Sequence, residues 1–171
     1  VPEEELLPFA QRLEDLFHGE SSGVDIAAAL SHQGLQFVRG QTPEKLNMTW
    51  QPHWYLSYCG HRGVTADCID RVKAMAETDP ESSYKLDVQM QEAVLEAQAS
   101  LRMPKGEGLP KLAKAINKAR GCFEFWGLVE GGLERHMQQL LQEGALAVKP
   151  TGSGGGGYVL SLWSTEQVLG D

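Results

Sequence analysis

The chain has 171 residues, 42 % hydrophobic and 22 % charged, with a formal charge of −8; this is an ordinary globular composition, enough for one domain or two small ones. The acidic balance, without a lysine/arginine cluster, argues against a nucleic-acid partner, and no apolar run approaches the ~20 residues of a membrane-spanning helix. The acidic opening Val1-Pro2-Glu3-Glu4-Glu5 is the reverse of a secretory signal, and three unpatterned cysteines, Cys59, Cys68 and Cys122, point to a reducing, cytoplasmic setting.

Leu6, Phe9, Ala10, Leu13, Leu16 and Phe17 recur at helical spacing, and Gly19 stops the predicted helix. Glu14 and His18 lie one turn apart at the edge of that stripe. Ser22 is placed to cap a second helix through Ile26–Leu30, with Asp25 in its first turn, where the helix dipole favours an anion. Gly34–Arg39 reads as a strand, and Lys45–Trp50 as another. A domain boundary is expected near Gln51-Pro52.

Trp54–Cys59 is a strand candidate, followed by the loop Gly60-His61-Arg62-Gly63 and by Thr65, expected to cap a helix carrying Ile69, Val72 and Ala76. Helices are predicted over 82–101, 111–126 and 133–141, with Met103–Pro110 as a connector. Cys59, His61 and Cys68 lack a fourth ligand at zinc spacing, so the cysteines read as small apolar residues rather than as metal ligands.

Eight residues, Pro150 to Gly157, separate Ala145–Lys149 from the alternating run Tyr158–Trp163, the last six of them Gly152 to Gly157. So short a link between two strand candidates is a hairpin loop, not a spacer. Its glycines suit a backbone that presents amides to an anion or lets a neighbouring loop pack close. Neither the Walker loop nor the dinucleotide-binding turn fits, because no Lys-Ser/Thr and no helix follows. Helices against a small antiparallel sheet make the class α+β.

Two stretches stand out together: Glu14-x3-His18-Gly19-x2-Ser22-Gly23-x-Asp25 and Lys149-Pro-Thr151-Gly152-Ser153-Gly-Gly-Gly-Gly157. In this order and separation the chain resembles the GHMP kinases, and within them most the mevalonate kinases, from about Leu6 to Trp163. The resemblance implies ATP-dependent phosphorylation of a small-molecule hydroxyl, with Mg²⁺. It makes Glu14 the Mg²⁺ ligand and Asp25 the catalytic carboxylate. It makes His18, Ser22 and Thr65 substrate-binding, and it sets Gly152, Ser153, Gly154, Gly155 and Gly156 beside the nucleotide phosphates. A hard cation held by one carboxylate and phosphates, and a carboxylate that orients a hydroxyl, suit phosphoryl transfer.

Arg62 matches only approximately the arginine that this family carries shortly before the threonine. The family's upstream Pro-x3-Gly-Leu-Gly-Ser-Ser phosphate loop and early lysine have no counterpart here. Residues 1–51 are therefore expected to be the end of an S5-domain-2-like N-terminal domain, and 52–171 a ferredoxin-like C-terminal domain. A fragment of this kind is expected to be inactive alone, with the missing N-terminal segment of the same protein as a partner and a homodimer as a further one. The alternatives are a non-catalytic binding module of the same fold, or a kinase for phosphomevalonate, homoserine or a sugar.

Overall fold

The computed structural model describes residues 9–10, 12–13, 23–31, 34–38 and 40–167. The chain divides into two compact units, residues 1–47 and 48–171.

In the first unit residues 9–10 and 12–13 are helical, within the predicted first helix. Helix α1 spans Val24–Leu30 and buries Ala27. Its cap position is Gly23, not Ser22: the chain enters the helix at φ 76°, a left-handed turn that glycine adopts without strain. Asp25 lies in the first turn, as expected. Strands β1 (Leu35–Gln36) and β2 (Glu44–Lys45) pair antiparallel, Leu35 opposite Lys45.

The strand expected over Lys45–Trp50 ends at its first residue, because Thr49 and Trp50 are used elsewhere. The Thr49 amide donates to Leu101 O at 2.9 Å, its hydroxyl to Met103 O at 2.7 Å, and Trp50 Nε1 to Ser100 O at 3.3 Å. Ser100 and Leu101 lie in the last turn of a helix, whose carbonyls find no helical partner, and Met103 lies just beyond it.

The second unit is a three-stranded antiparallel sheet among the described residues, with four helices inserted between its first two strands. Strand β3 (His53–Tyr58) leads into α2 (Thr65–Thr78), α3 (Pro80–Leu101), α4 (Lys105–Phe125) and α5 (Gly131–Gln142), and the chain returns through β4 (Ala147–Pro150) and β5 (Tyr158–Trp163). The sheet order is β3-β5-β4. The glycine stretch is the β4–β5 hairpin loop, and Lys149 lies opposite Leu160.

The expected connector Met103–Pro110 is mostly helix. Helix α4 starts at Lys105 with Pro110 inside it. Of the two glycines that suggested a loop, Gly108 serves packing instead: a Cβ on it would sit 2.3 Å from Ser100 O and 2.9 Å from Trp50 Nε1, while the side of Gly106 is open. Only a bare backbone lets α4 turn back so tightly against the end of α3.

The core lies on both faces of the sheet. Leu133, Met137 and Leu140 of α5, at helical spacing, pack on Val148, Val159 and Trp163. A smaller cluster of Cys68, Phe123 and Leu128 joins α2 to the end of α4. It is this smaller core that supports the glycine loop.

Candidate functional site

Helix α2 begins without a side-chain cap. Its cap residue is Val64, which has no oxygen to offer the first amides. Thr65, expected as the cap, is instead the first helical residue. Its hydroxyl is free to meet another group, and Ser153 Oγ donates to it at 3.3 Å. Two residues 88 apart in sequence thus place their hydroxyls together at the positive end of a 14-residue helix.

The glycine loop is clasped by protein. Gly155 N–H donates to Leu128 O at 2.8 Å, Gly157 N–H to His61 O at 2.8 Å, and Cys59 N–H to Gly157 O at 2.9 Å. A Cβ on Gly154 would meet Leu128 and Phe123 at 3.0 Å; on Gly155, Cys68 Sγ at 2.7 Å; on Gly156, Gly63 N at 2.5 Å. Reciprocally, a Cβ on Gly63 would meet Gly154 O at 2.7 Å. The two loops, 60–63 and 152–157, approach backbone to backbone. Of the two uses the sequence suggested for the run, this is close loop packing. The sides of Gly152 and Gly157 are open, with nothing within 4 Å.

All of Gly152 to Gly157 except Ser153 have positive φ, so the loop's shape depends on glycine as well as its packing does. Ser153 is the one residue of the loop that carries a functional side chain, and it carries it to Thr65. Cys68, one turn along α2, donates its thiol to Gly154 O at 3.5 Å. Lys149 enters the loop from β4 with its ammonium 5.3 Å from the centroid of the Phe123 ring, and it donates to Pro150 O. Burial pulls the Lys149 pKa below its ordinary 10.5.

Beside the α2 start lies a cleft of about 260 Å³ lined by Arg62, Asp67, Arg71, Glu130 and Gly155. Arg71 is engaged there, donating to Gly127 O and to Glu130 Oε1, the latter at 3.0 Å. Arg62 is exposed at the mouth.

The structure thus brings Thr65 together with Ser153 and the glycines. Asp25 is exposed in the first turn of α1, in the first unit. Glu14, His18 and Ser22 lie outside the described residues. Sequence reasoning missed Gly63, Cys68 and Phe123 as the partners of the loop. Gly63 could have been found, as a second glycine next to a helix start that faces a glycine run. Among the described residues no group of three or more His, Cys, Asp or Glu could hold a metal ion, and Cys59 Sγ faces His61 Nδ1 at 3.6 Å while Cys68 turns to the glycine loop. Among the described residues no helix is long and apolar enough to cross a membrane.

No protein-family model matches the chain. It is 27 % identical over 166 residues to the mevalonate kinase of Aeropyrum pernix, covering 96 % of this chain and 50 % of that protein. With the mevalonate kinase of Thermococcus gammatolerans the identity is again 27 %, over 96 % of this chain and 49 % of that protein. The structure aligns with L. major mevalonate kinase in complex with R-mevalonate at a TM-score of 0.84 and 23 % identity, covering 96 % of this chain and 51 % of that one. With Methanococcus jannaschii mevalonate kinase the TM-score is 0.77 at 16 % identity, over 96 % and 50 % of the two chains. The chain spans about half the length of the curated relatives it matches. Its mixed fold is that of the C-terminal part of these enzymes, and over nearly its whole length the chain resembles the GHMP kinases, and among them the mevalonate kinases.

Proposed function

We propose that this chain is part of an ATP-dependent kinase that phosphorylates the hydroxyl of a small molecule, with mevalonate as the substrate. The observation that carries the reading is the meeting of Ser153 with Thr65 at the uncapped start of α2, in a chain similar over 96 % of its length to mevalonate kinases. Ser153 lies in one of the two stretches that carry the family resemblance, and the same resemblance makes Thr65 substrate-binding.

The chemistry fits the residue types. The first amides of α2 and the two hydroxyls are donors fixed before any ligand arrives, which suits the oxygens of a phosphate or of the alcohol acceptor. The clasp of the glycine loop on residues 61–63, Cys68 and Leu128 holds Ser153 in place, so the site needs little rearrangement to bind. Asp25, exposed at the start of α1, is the carboxylate that orients the acceptor hydroxyl and takes its proton. Carboxylate oxygen is the donor Mg²⁺ prefers, and Glu14 is the residue assigned to it; when bound, the ion neutralises the charge of the ATP phosphates. In this reading residues 1–51 end the N-terminal domain and 52–171 form the C-terminal domain, and the remaining half of the kinase supplies the phosphate loop.

The test is phosphate transfer from ATP to R-mevalonate by the polypeptide that joins this chain to that remaining half. Asp25→Asn keeps the shape and removes the base, and kcat should fall by about 10²–10⁴ with KM little changed. Wild-type kcat in that variant would reduce Asp25 to a helix-start residue. A joined polypeptide that binds mevalonate without phosphorylating it would make the fold a binding module.

A further inference from the structure

Helix α4 ends in a turn whose amides bond back into the helix and whose carbonyls reach away from it. Gly127 N–H donates to Glu124 O at 3.0 Å and Leu128 N–H to Phe123 O at 2.9 Å, with Gly127 at φ 67°. This is the glycine-ended helix stop in which the two residues past the cap bond to the last turn. Leu128 and Phe123 share a core cluster, which seals it. The carbonyls of the same two residues go to different partners. Gly127 O accepts from Arg71 of α2, and Leu128 O accepts from Gly155 N–H of the glycine loop at 2.8 Å.

Arg71 spans that turn. Its Nη1 donates to Gly127 O at one end and to Glu130 Oε1, at 3.0 Å, at the other. Glycine at 127 makes room for it: a Cβ there would lie 3.2 Å from Arg71 Nη1 and 3.5 Å from Glu130 Oε1. Arg71 is also the last of three residues set three apart along one side of α2. The first, Thr65, meets Ser153, and the second, Cys68, donates its thiol to Gly154 O. These two hold the glycine loop directly. The third holds the turn that holds the loop at Gly155.

We infer that Arg71 is a positioning residue for the candidate site: by clamping residues 127–130 it keeps Leu128 O in place for Gly155 N–H, and so keeps Ser153 on Thr65. That this loop position serves a ligand rests on the kinase reading; that Arg71 sets the position does not. The Arg71 and Glu130 side chains are 51 % and 68 % exposed, and an ion pair so exposed contributes little to overall stability. The effect of Arg71 is therefore felt in the loop and not in the fold as a whole. Regions of a protein open locally with their own free energies, so a clamp on one turn is read at the amide it serves.

Amide hydrogen exchange of the 171-residue chain, followed by NMR, tests this without a ligand. Arg71→Met keeps the apolar stem and removes both donated bonds. The Gly155 amide should then exchange roughly tenfold faster, while Met137 and Leu140 in the α5 core keep their wild-type rates. The melting temperature should move by no more than about 4 °C. Glu130→Gln keeps an oxygen for Arg71 Nη1 to reach, and should leave the Gly155 rate close to that of the wild type. An unchanged Gly155 rate in Arg71→Met would overturn the proposal. So would an acceleration equally large at Met137 and Leu140, which would make Arg71 an ordinary stabilising residue. Titration with ATP and Mg²⁺ separates the clamp from the kinase reading. Where ATP moves the Ser153 amide of the wild type, half-saturation should need several-fold more ATP in Arg71→Met, and equal affinity would overturn the positioning role. If ATP moves no amide of the wild type while Gly155 still exchanges faster in Arg71→Met, the kinase reading fails and the clamp stands.

Discussion

Helices α2 and α3 follow one another with only Asp79 between them, yet they begin in opposite ways. Helix α3 starts on Asp79, whose carboxylate accepts from Ser82 N–H at 3.1 Å, with Pro80 at the first position where no amide bond is lost. It satisfies its own N-terminus. Helix α2 starts on Val64, satisfies nothing by side chain, and turns its first residue toward Ser153 of a distant hairpin. Helices α1, α4 and α5 also start without a side-chain cap, so what distinguishes α2 is the distant Ser153 hydroxyl at its first residue. In the proposed function it is the start of α2, where Ser153 meets Thr65, and not that of α3, that receives a ligand.

The comparison is broken most severely by filling the clasp that holds Ser153 over α2. A Cβ on Gly156 would lie 2.5 Å from Gly63 N and 2.9 Å from Arg62 C, both backbone atoms that cannot swing away. With φ at 151° the residue is also strained for anything but glycine. Gly156→Ala should therefore cost about 3 kcal/mol or more, from overpacking and strain together, in a denaturant melt. Gly152→Ala is the control: its φ is 61° but nothing lies within 4 Å, so strain alone should cost about 1–2 kcal/mol. Equal effects at the two positions would mean that the clasp is not what requires glycine.

A smaller loss is expected from the capped helix. Hydrogen bonds from Ser82 hold Asp79 below its ordinary pKa of 3.8. A depressed acid contributes stability above its unfolded value and loses it as pH falls through the folded one. Asp79→Ala should thus lower the melting temperature at neutral pH, and the gap from wild type should close in acid below 3.8. A gap that persists unchanged at low pH would show that the carboxylate is not what holds the helix start. The smallest effect is the converse. Val64→Asp gives α2 the cap it lacks and should raise stability by about 0.5 kcal/mol. No gain would mean that the α2 amides already have partners.

Much of the fold was legible in the sequence, because its long helices and its hairpin carry strong periodicity. Leu133, Met137 and Leu140 repeat at helical spacing, and Tyr158–Trp163 alternates; they lie in helix α5 and strand β5, as expected of the two stretches. Local signals misled where distant contacts decide. Gly106 and Gly108 between two prolines read as a connector, but Gly108 is glycine because α3 and Trp50 press on it. Thr49 and Trp50 read as strand, but they serve the end of α3. Thr65 read as a cap because its residue type suits one, although the cap position falls on Val64.

At the candidate site, the hairpin and its glycines were readable from chain spacing and turn chemistry. What the glycines touch was not. Gly63 and Cys68 are remote from them in sequence, and only the folded chain shows that the bare backbone makes room for another loop. The pairing of Ser153 with Thr65 was likewise invisible, since each residue alone is an ordinary polar side chain. The resemblance to kinase motifs pointed to both residues without saying that they meet.

The central claim is that the start of α2 and the Ser153 loop together receive the oxygens of a phosphate-bearing ligand. The most direct measurement is amide NMR of this chain titrated with ATP and Mg²⁺, in wild type and in Val64→Asp. The account predicts that ATP moves the amide signals of Thr65, Ala66, Ser153 and Gly154 in the wild type. It predicts that those shifts are lost in Val64→Asp, where a carboxylate already occupies the helix start. Shifts confined to other parts of the chain, or shifts at these four amides that survive Val64→Asp unchanged, would contradict it.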